Sequence, residues 1–347
     1  MEAAFLTTLQ NGIGNKHMTL KKVFAFAGRK LLKLFLLIAA VEVITFALME
    51  ASPIDPVTAY VGASTSIGAE QRELIAEKWG LNKPPLERFG SWFFNILHGD
   101  WGDSMIYRRP VMEVVGQKFA ASLVLMAAAW ILSGLLGFFL GIAAGMRENS
   151  LADRLISSYC HLLISTPAFW LGIFLIIVFS VRLHWLPVGL SVPIGVLQEN
   201  VSFTDRVTHL ILPAMTLTLT GIAGICLHTR EKTIEILQSD YVLYAKARGE
   251  SRKSILRHHV YRNVMLPAVT LQFLSFSELF GGAVFVEQVF SYPGLGYTTV
   301  QAGLRSDMPL LMGITIISVV FVFMGNLIAD LLYFLIDPRI REGGQRG

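Results

Sequence analysis

The hydrophobic and polar positions of this chain alternate in long blocks. Six apolar runs stand out, at 31–49, 120–146, 155–181, 210–227, 264–290 and 310–335. A helix crosses a bilayer with about 20 apolar residues, so each run predicts a transmembrane helix. The third contains Pro167 and the fourth Pro213, breaks that neighbouring helices in a bundle can satisfy. The fourth is the shortest and also fits a re-entrant helix. Between the first two runs, 69–79 reads as a helix ended by Gly80, and 84–97 places Leu86, Phe89, Phe93 and Ile96 on one helical face. HGDWGDS at 98–104 is a turn cluster. These pieces are expected to pack on the outer mouth of a bundle, with a membrane-surface helix as the alternative.

Charge orients the runs. Lys16, Lys21, Lys22, Arg29, Lys30 and Lys33 precede or open the first, against Glu2 alone. Arg147 and Arg154 flank the second connection, and eight bases from Arg230 to Arg262 fill the fourth. Arg339, Arg341 and Arg346 follow the last run, whereas 51–119 carries seven bases and eight acids. The positive-inside rule therefore puts both termini in the cytoplasm. The expected fold is an all-α membrane protein of six transmembrane helices. Its parts are a cytoplasmic segment at 1–30, the first span with an extracytoplasmic segment at 31–119, a five-helix core at 120–342 and a tail at 343–347. Residues 1–28 lack a compact signal-peptide pattern, so the first run is expected to be retained.

Composition agrees. The chain has 347 residues, 53% hydrophobic and only 16% charged, with mean hydropathy +0.56. A soluble domain averages about 25% charged residues. The net charge of +4 suits basic cytoplasmic faces and not nucleic acid, which calls for a dense basic stripe. Cys160 and Cys226 both lie in apolar runs and form no metal or disulfide framework. No phosphate loop, H-E-x-x-H, G-x-S-x-G or Cys-x-x-Cys is present. The eight histidines are scattered. No catalytic constellation emerges, so the chain is not expected to be an enzyme, and uphill transport would need an ion gradient or a separate ATPase.

The fourth connection is the most structured. Asp240 can cap a helix from Tyr241 to Arg248, Gly249 can end it, and Ser251 can start a second helix reaching about Val260. Tyr241, Ala245 and Arg248 share a face, and small Ala245 and Ala247 would admit a partner's surface. Pro267 marks entry to the fifth span. So short an element is unstable alone and needs a groove to lie in. By spacing alone, a plain basic loop fits as well.

The segment resembles the EAA loop of ABC-importer permeases, E-A-A-x-x-x-G followed by I-x-L-P. Ala245 and Gly249 stand at the second Ala and the Gly, while Leu243 and Tyr244 replace the Glu and first Ala. The longer Gly249-to-Pro267 spacing resembles the peptide and nickel branch. PIDP at 53–56, WGLNKPPLERFGSW at 79–92, HGDWGDS at 98–104, STPAFWLG at 165–172, FSYPGLG at 290–296, NLIADLLY at 326–333 and DPRIR at 337–341 follow in that branch's order. The resemblance covers about 30–342. It implies a type I ABC-importer permease of the cell membrane, paired with a second, homologous permease, two ATPase subunits carrying ATP and Mg, and an extracytoplasmic substrate-binding protein. No cofactor is expected on this chain itself. It implies coupling through the loop at 230–263, with Tyr241, Tyr244, Ala245, Ala247, Arg248, Gly249 and Ser254 as contact residues. An ion-coupled secondary transporter is the alternative, and it predicts inverted repeats that are not evident here.

Glu278 and Glu287 lie in the fifth run, where a carboxylate defaults to a functional role. Nine residues separate them, about 180° around a straight helix, so one site cannot hold both unless Gly281-Gly282 distorts it. Both are candidate residues of the translocation path; Glu287 resembles a Glu found across the family before F-x-x-P-G-x-G and reads as structural at the outer mouth. Glu278 in SELFGG resembles the E-L-I-G-G of nickel permeases and suits a cation in the path, with a permease–permease interface as the alternative. The expected cargo is thus nickel, a metal chelate or a short peptide. Asp330 is expected to pair with a base, and Glu42 has no evident partner.

Overall fold

The computed structural model describes residues 20–61, 68–196 and 200–336. The expectations for 1–19, for DPRIR and for the tail therefore fall outside the described residues. Every regular element described is a helix. In chain order they are α1 (Leu20–Glu50), α2 (Pro56–Val61), α3 (Ala69–Lys78), α4 (Pro85–Leu97), α5 (Val111–Gly145), α6 (Leu151–Ile164), α7 (Ala168–Arg182), α8 (Phe203–Leu237), α9 (Asp240–Ala247), α10 (Arg252–Leu274), α11 (Phe276–Val289), α12 (Leu295–Leu304) and α13 (Met308–Ile336). Four helices are each long and apolar enough to cross a membrane, in α1, α5, α8 and α13. Two bent pairs raise the number to six if each pair is one span.

Three spans differ from the pattern reading. The third is not one helix: α6 and α7 meet at a 107° bend. Pro167 has no N–H and disfavours helix at Thr166, and the Ser165 and Thr166 hydroxyls close the end of α6 on the carbonyls of His161 and Leu162. The fourth is the opposite case. The short run becomes the 35-residue α8, opened by a Ser202/Asp205 capping box and passing through Pro213 without ending. At its polar end Arg230 pairs with buried Asp153 of α6, and Lys232 reaches Glu235 on the exposed face. In the fifth, Pro267 does not mark an entry. It lies inside α10, which bends by 50° against α11 at Ser275.

The described residues divide into two compact units, one drawn from 123–292 and 324–336, the other from 20–122 and 293–323. In the first, α5 and α8 pack nearly backbone to backbone. A Cβ on Gly141 would lie 2.5 Å from the Cys226 carbonyl oxygen, and Gly137 and Gly145 face α8 in the same way. Trp130 and Gln272 lock α5 to α10 reciprocally. The indole donates to the Gln272 carbonyl at 2.9 Å and the Gln272 amide donates to the Trp130 carbonyl at 2.6 Å.

In the second unit, Glu42 does have a partner: the Thr315 hydroxyl donates to it at 2.7 Å. Asp307 is fully buried and accepts from the Ser104 hydroxyl at 2.6 Å and the Ile106 amide at 2.9 Å. The turn cluster is thereby pinned to the start of α13. The amphipathic α4 forms as expected, but none of its residues is buried. Arg88 reaches Glu50 at 3.0 Å and the Phe89 ring packs on Phe46, whereas Leu86 is 86% exposed.

Candidate functional site

Two features of the first unit carry chemistry, a docked helix with a basic turn and a cleft. The helix is α9. Ser239, not Asp240, is its N-cap, and Asp240 sits in the first turn. Gly249 has φ +82°, a left-handed conformation that glycine adopts without Cβ strain. The Ser251 hydroxyl then accepts from the Ser254 amide and starts α10. The second helix does not stop near Val260. It runs through a π-helical turn at Leu256–Val260 into the fifth span, so the start of α10 and the span share one continuous helix.

The fold gives α9 the groove it needs. Val242 enters a core cluster with Ile142, Ile236, Ile255, Val260 and Val264. Lys246 donates to the Leu237 carbonyl at 3.1 Å, and Arg252 donates to the carbonyl of Met146 at the end of α5. Ala245 differs from its expected role: it is 3% exposed and packs inward, letting α9 approach its own bundle. The free face is Tyr241, Leu243, Tyr244, Ala247 and Arg248, with the Arg248 guanidinium over the Tyr244 ring. Ser254 is tied back by its hydroxyl, which donates to Glu250 at 3.0 Å. Just beside this region, Arg230 closes on buried Asp153, a pair that spacing alone did not reveal.

The cleft has a volume of about 420 Å³ and lies at the two bends. Its walls are apolar or small, with Leu217, Leu271, Gly221 and Gly282 among them, and carry four hydroxyls. Glu278 lines it, exposed, with no hydrogen bond or ion pair among the described residues. A bare carboxylate within a span is tolerated where it faces water or another subunit. Glu287 does not join it. It is 1% exposed and turned away from the cleft, as the half-turn between the two residues requires. Gly281-Gly282 leave α11 continuous from Phe276 to Val289 and do not bring the two acids together. Among the described residues no group of three His, Cys, Asp or Glu could hold a metal ion.

Residues 137–342 match the model of a family described as binding-protein-dependent transport system inner membrane component. The oligopeptide transport system permease protein AppB of Bacillus subtilis is 36% identical over 91% of this chain and 99% of its own length. A putative peptide transport system permease protein of Brucella abortus is 34% identical, covering 87% of this chain and 94% of its own. A probable peptide ABC transporter permease protein of Sinorhizobium fredii is 32% identical over 90% and 98%. Among solved structures, a chain of the inward-facing MetNI methionine ABC transporter aligns with TM-score 0.50 at 14% identity. The alignment covers 68% of this chain and 98% of that one, a likeness of fold.

Proposed function

The chain belongs to the family of binding-protein-dependent transport system inner membrane components, and from that premise we propose that it is the permease subunit of an ATP-driven importer of short peptides. It is a multi-pass membrane protein and a transport subunit. In this reading each bent pair is one span, giving six with both termini cytoplasmic, the arrangement of a type I importer. A second, homologous permease completes the path. Two ATPase subunits bind ATP and Mg below, and a substrate-binding protein delivers cargo from outside.

The observation that carries the coupling is α9. A short helix seated on the core through Val242, ended by Gly249 and fused through α10 to the fifth span, is the element an ATPase can push. Tyr241, Tyr244, Ala247 and Arg248 form its contact face, and Ala245 its anchor. Closure of the ATPases on ATP would move α9 as a body. The α10–α11 segment would follow, and the cleft would exchange its inward for its outward opening. ATP acts here by binding one arrangement better than the other.

Glu278 is the path residue of this reading, and Glu287 a structural one. For the cargo, short peptides are favoured over nickel or a metal chelate. The relatives above are described as peptide permeases. A single carboxylate among hydroxyls is also a weak donor set for a bare divalent ion. The test is purification of the chain from cells carrying the whole transport system. ATPase subunits should co-purify, and Glu278→Ala should abolish peptide uptake while leaving them bound. Uptake unchanged in that variant would remove Glu278 from the path.

A further inference from the structure

We infer that the cleft receives the ammonium or guanidinium end of its cargo, a cation that donates hydrogen bonds, and refuses a carboxylate. The inference rests on the reading of this cleft as the translocation path. It comes from where the protons of the lining go. A serine or threonine hydroxyl has one proton to give and two lone pairs to offer. Here all four have spent the proton on a backbone carbonyl. Ser133 donates to Trp130 at 3.1 Å, Thr166 to Leu162 at 2.7 Å, Thr220 to Leu217 at 3.0 Å and Ser275 to Gln272 at 3.0 Å. The one indole in the lining, Trp130, donates to the Gln272 carbonyl.

Each of the four hydroxyls is therefore left with lone pairs and no free proton, and Glu278 adds a carboxylate with no hydrogen bond or ion pair among the described residues. Among the described residues no Lys, Arg or His lines it. The remaining walls are apolar side chains or glycine and bring no competing charge to the carboxylate. An ammonium would gain several acceptors at once. A carboxylate would lose its water, find no side-chain donor, and meet Glu278 of like charge.

The test places a thiol in the lining by Ala168→Cys in the purified complex with its partner subunits. The two native cysteines are fully buried, and the parent complex measures their background. The thiol is treated with the aminoethyl and the sulfonatoethyl methanethiosulfonate, one cationic and one anionic. Each thiolate displaces sulfinate from its reagent and forms a mixed disulfide. After correction for a free thiol, the cationic reagent should react at least about tenfold faster. In Glu278→Gln/Ala168→Cys that preference should fall below about twofold. A ratio near that of a free thiol with Glu278 present, or a thiol that reacts with neither reagent, overturns the inference. The labelled complex is then assayed for peptide uptake. Full uptake after labelling would overturn the path reading instead, while leaving the cation preference intact.

Discussion

Arg230 places its Nη2 2.8 Å from Oδ2 of Asp153, a carboxylate only 2% exposed, and its Nε on the other oxygen. The pair ties α8 to the first turn of α6, and the Asn149 amide and Ser157 hydroxyl satisfy further lone pairs of the acid. Removing one partner strands the other charge. Asp153→Ala should destabilise the purified complex by about 3 kcal/mol, read as a lower thermal midpoint. Asp153→Leu/Arg230→Met should recover most of the loss. A single variant as stable as the parent would show that the pair holds nothing.

Gly249 carries φ +82° at the turn between α9 and α10. Space is not the obstacle, since nothing lies within 4 Å of an added Cβ. The cost is conformational, about 1 kcal/mol for an L-residue. Gly249→Asp adds a charge beside the contact face as well. It should lower ATPase co-purification at least fivefold, while Gly249→Ala loses much less. Normal co-purification with Gly249→Asp would break the assignment of α9 to coupling.

Gly141 meets the Cys226 carbonyl and Thr229 across the α5–α8 contact, with no room for a Cβ. Gly141→Leu must push the helices apart or fail to assemble. It should cost several kcal/mol, seen as lost expression of folded complex. Gly224→Ala, on the same helix pair's open side with nothing within 4 Å, is the control and should express normally.

Asp307 supplies the pH dependence. Burial pushes its carboxyl above the usual carboxylate range, against the opposing pull of the Ser104 hydroxyl and of the Ile106 and Leu310 amides. A raised acid binds its proton more tightly folded than unfolded. Its stabilising contribution is therefore complete at acid pH and lost as pH rises from the ordinary Asp value through the raised one. The thermal midpoint of the complex should fall across that window. Asp307→Asn, which imitates the neutral form, should flatten this component, and an unaltered profile in the variant would refute the assignment.

Much of this was legible in the sequence because hydrophobic run length and glycine placement are local signals. Gly249 in its left-handed turn, the helix at 69–79 ended by Gly80, and the long apolar runs all follow from residue type and spacing. Charge stopped the fourth run too soon. Arg230 reads as an exit from the bilayer until Asp153, 77 residues away, is known to meet it. Proline was ambiguous for a related reason. Pro167 and Pro213 look alike in sequence, yet one ends a helix whose last turn is closed by hydroxyls, and the other is absorbed by packing. The acceptor-lined cleft was invisible beforehand, since it depends on where four hydroxyl protons point.

The central claim is that ATP hydrolysed on partner subunits, and not an ion gradient, moves cargo past this chain. The direct measurement is peptide uptake by proteoliposomes holding the purified complex, with binding protein outside and ATP inside. The account predicts uptake that requires both ATP and the binding protein and persists when a protonophore and a sodium ionophore collapse every gradient. Uptake by the chain alone, without ATP and driven by an imposed gradient, would contradict it.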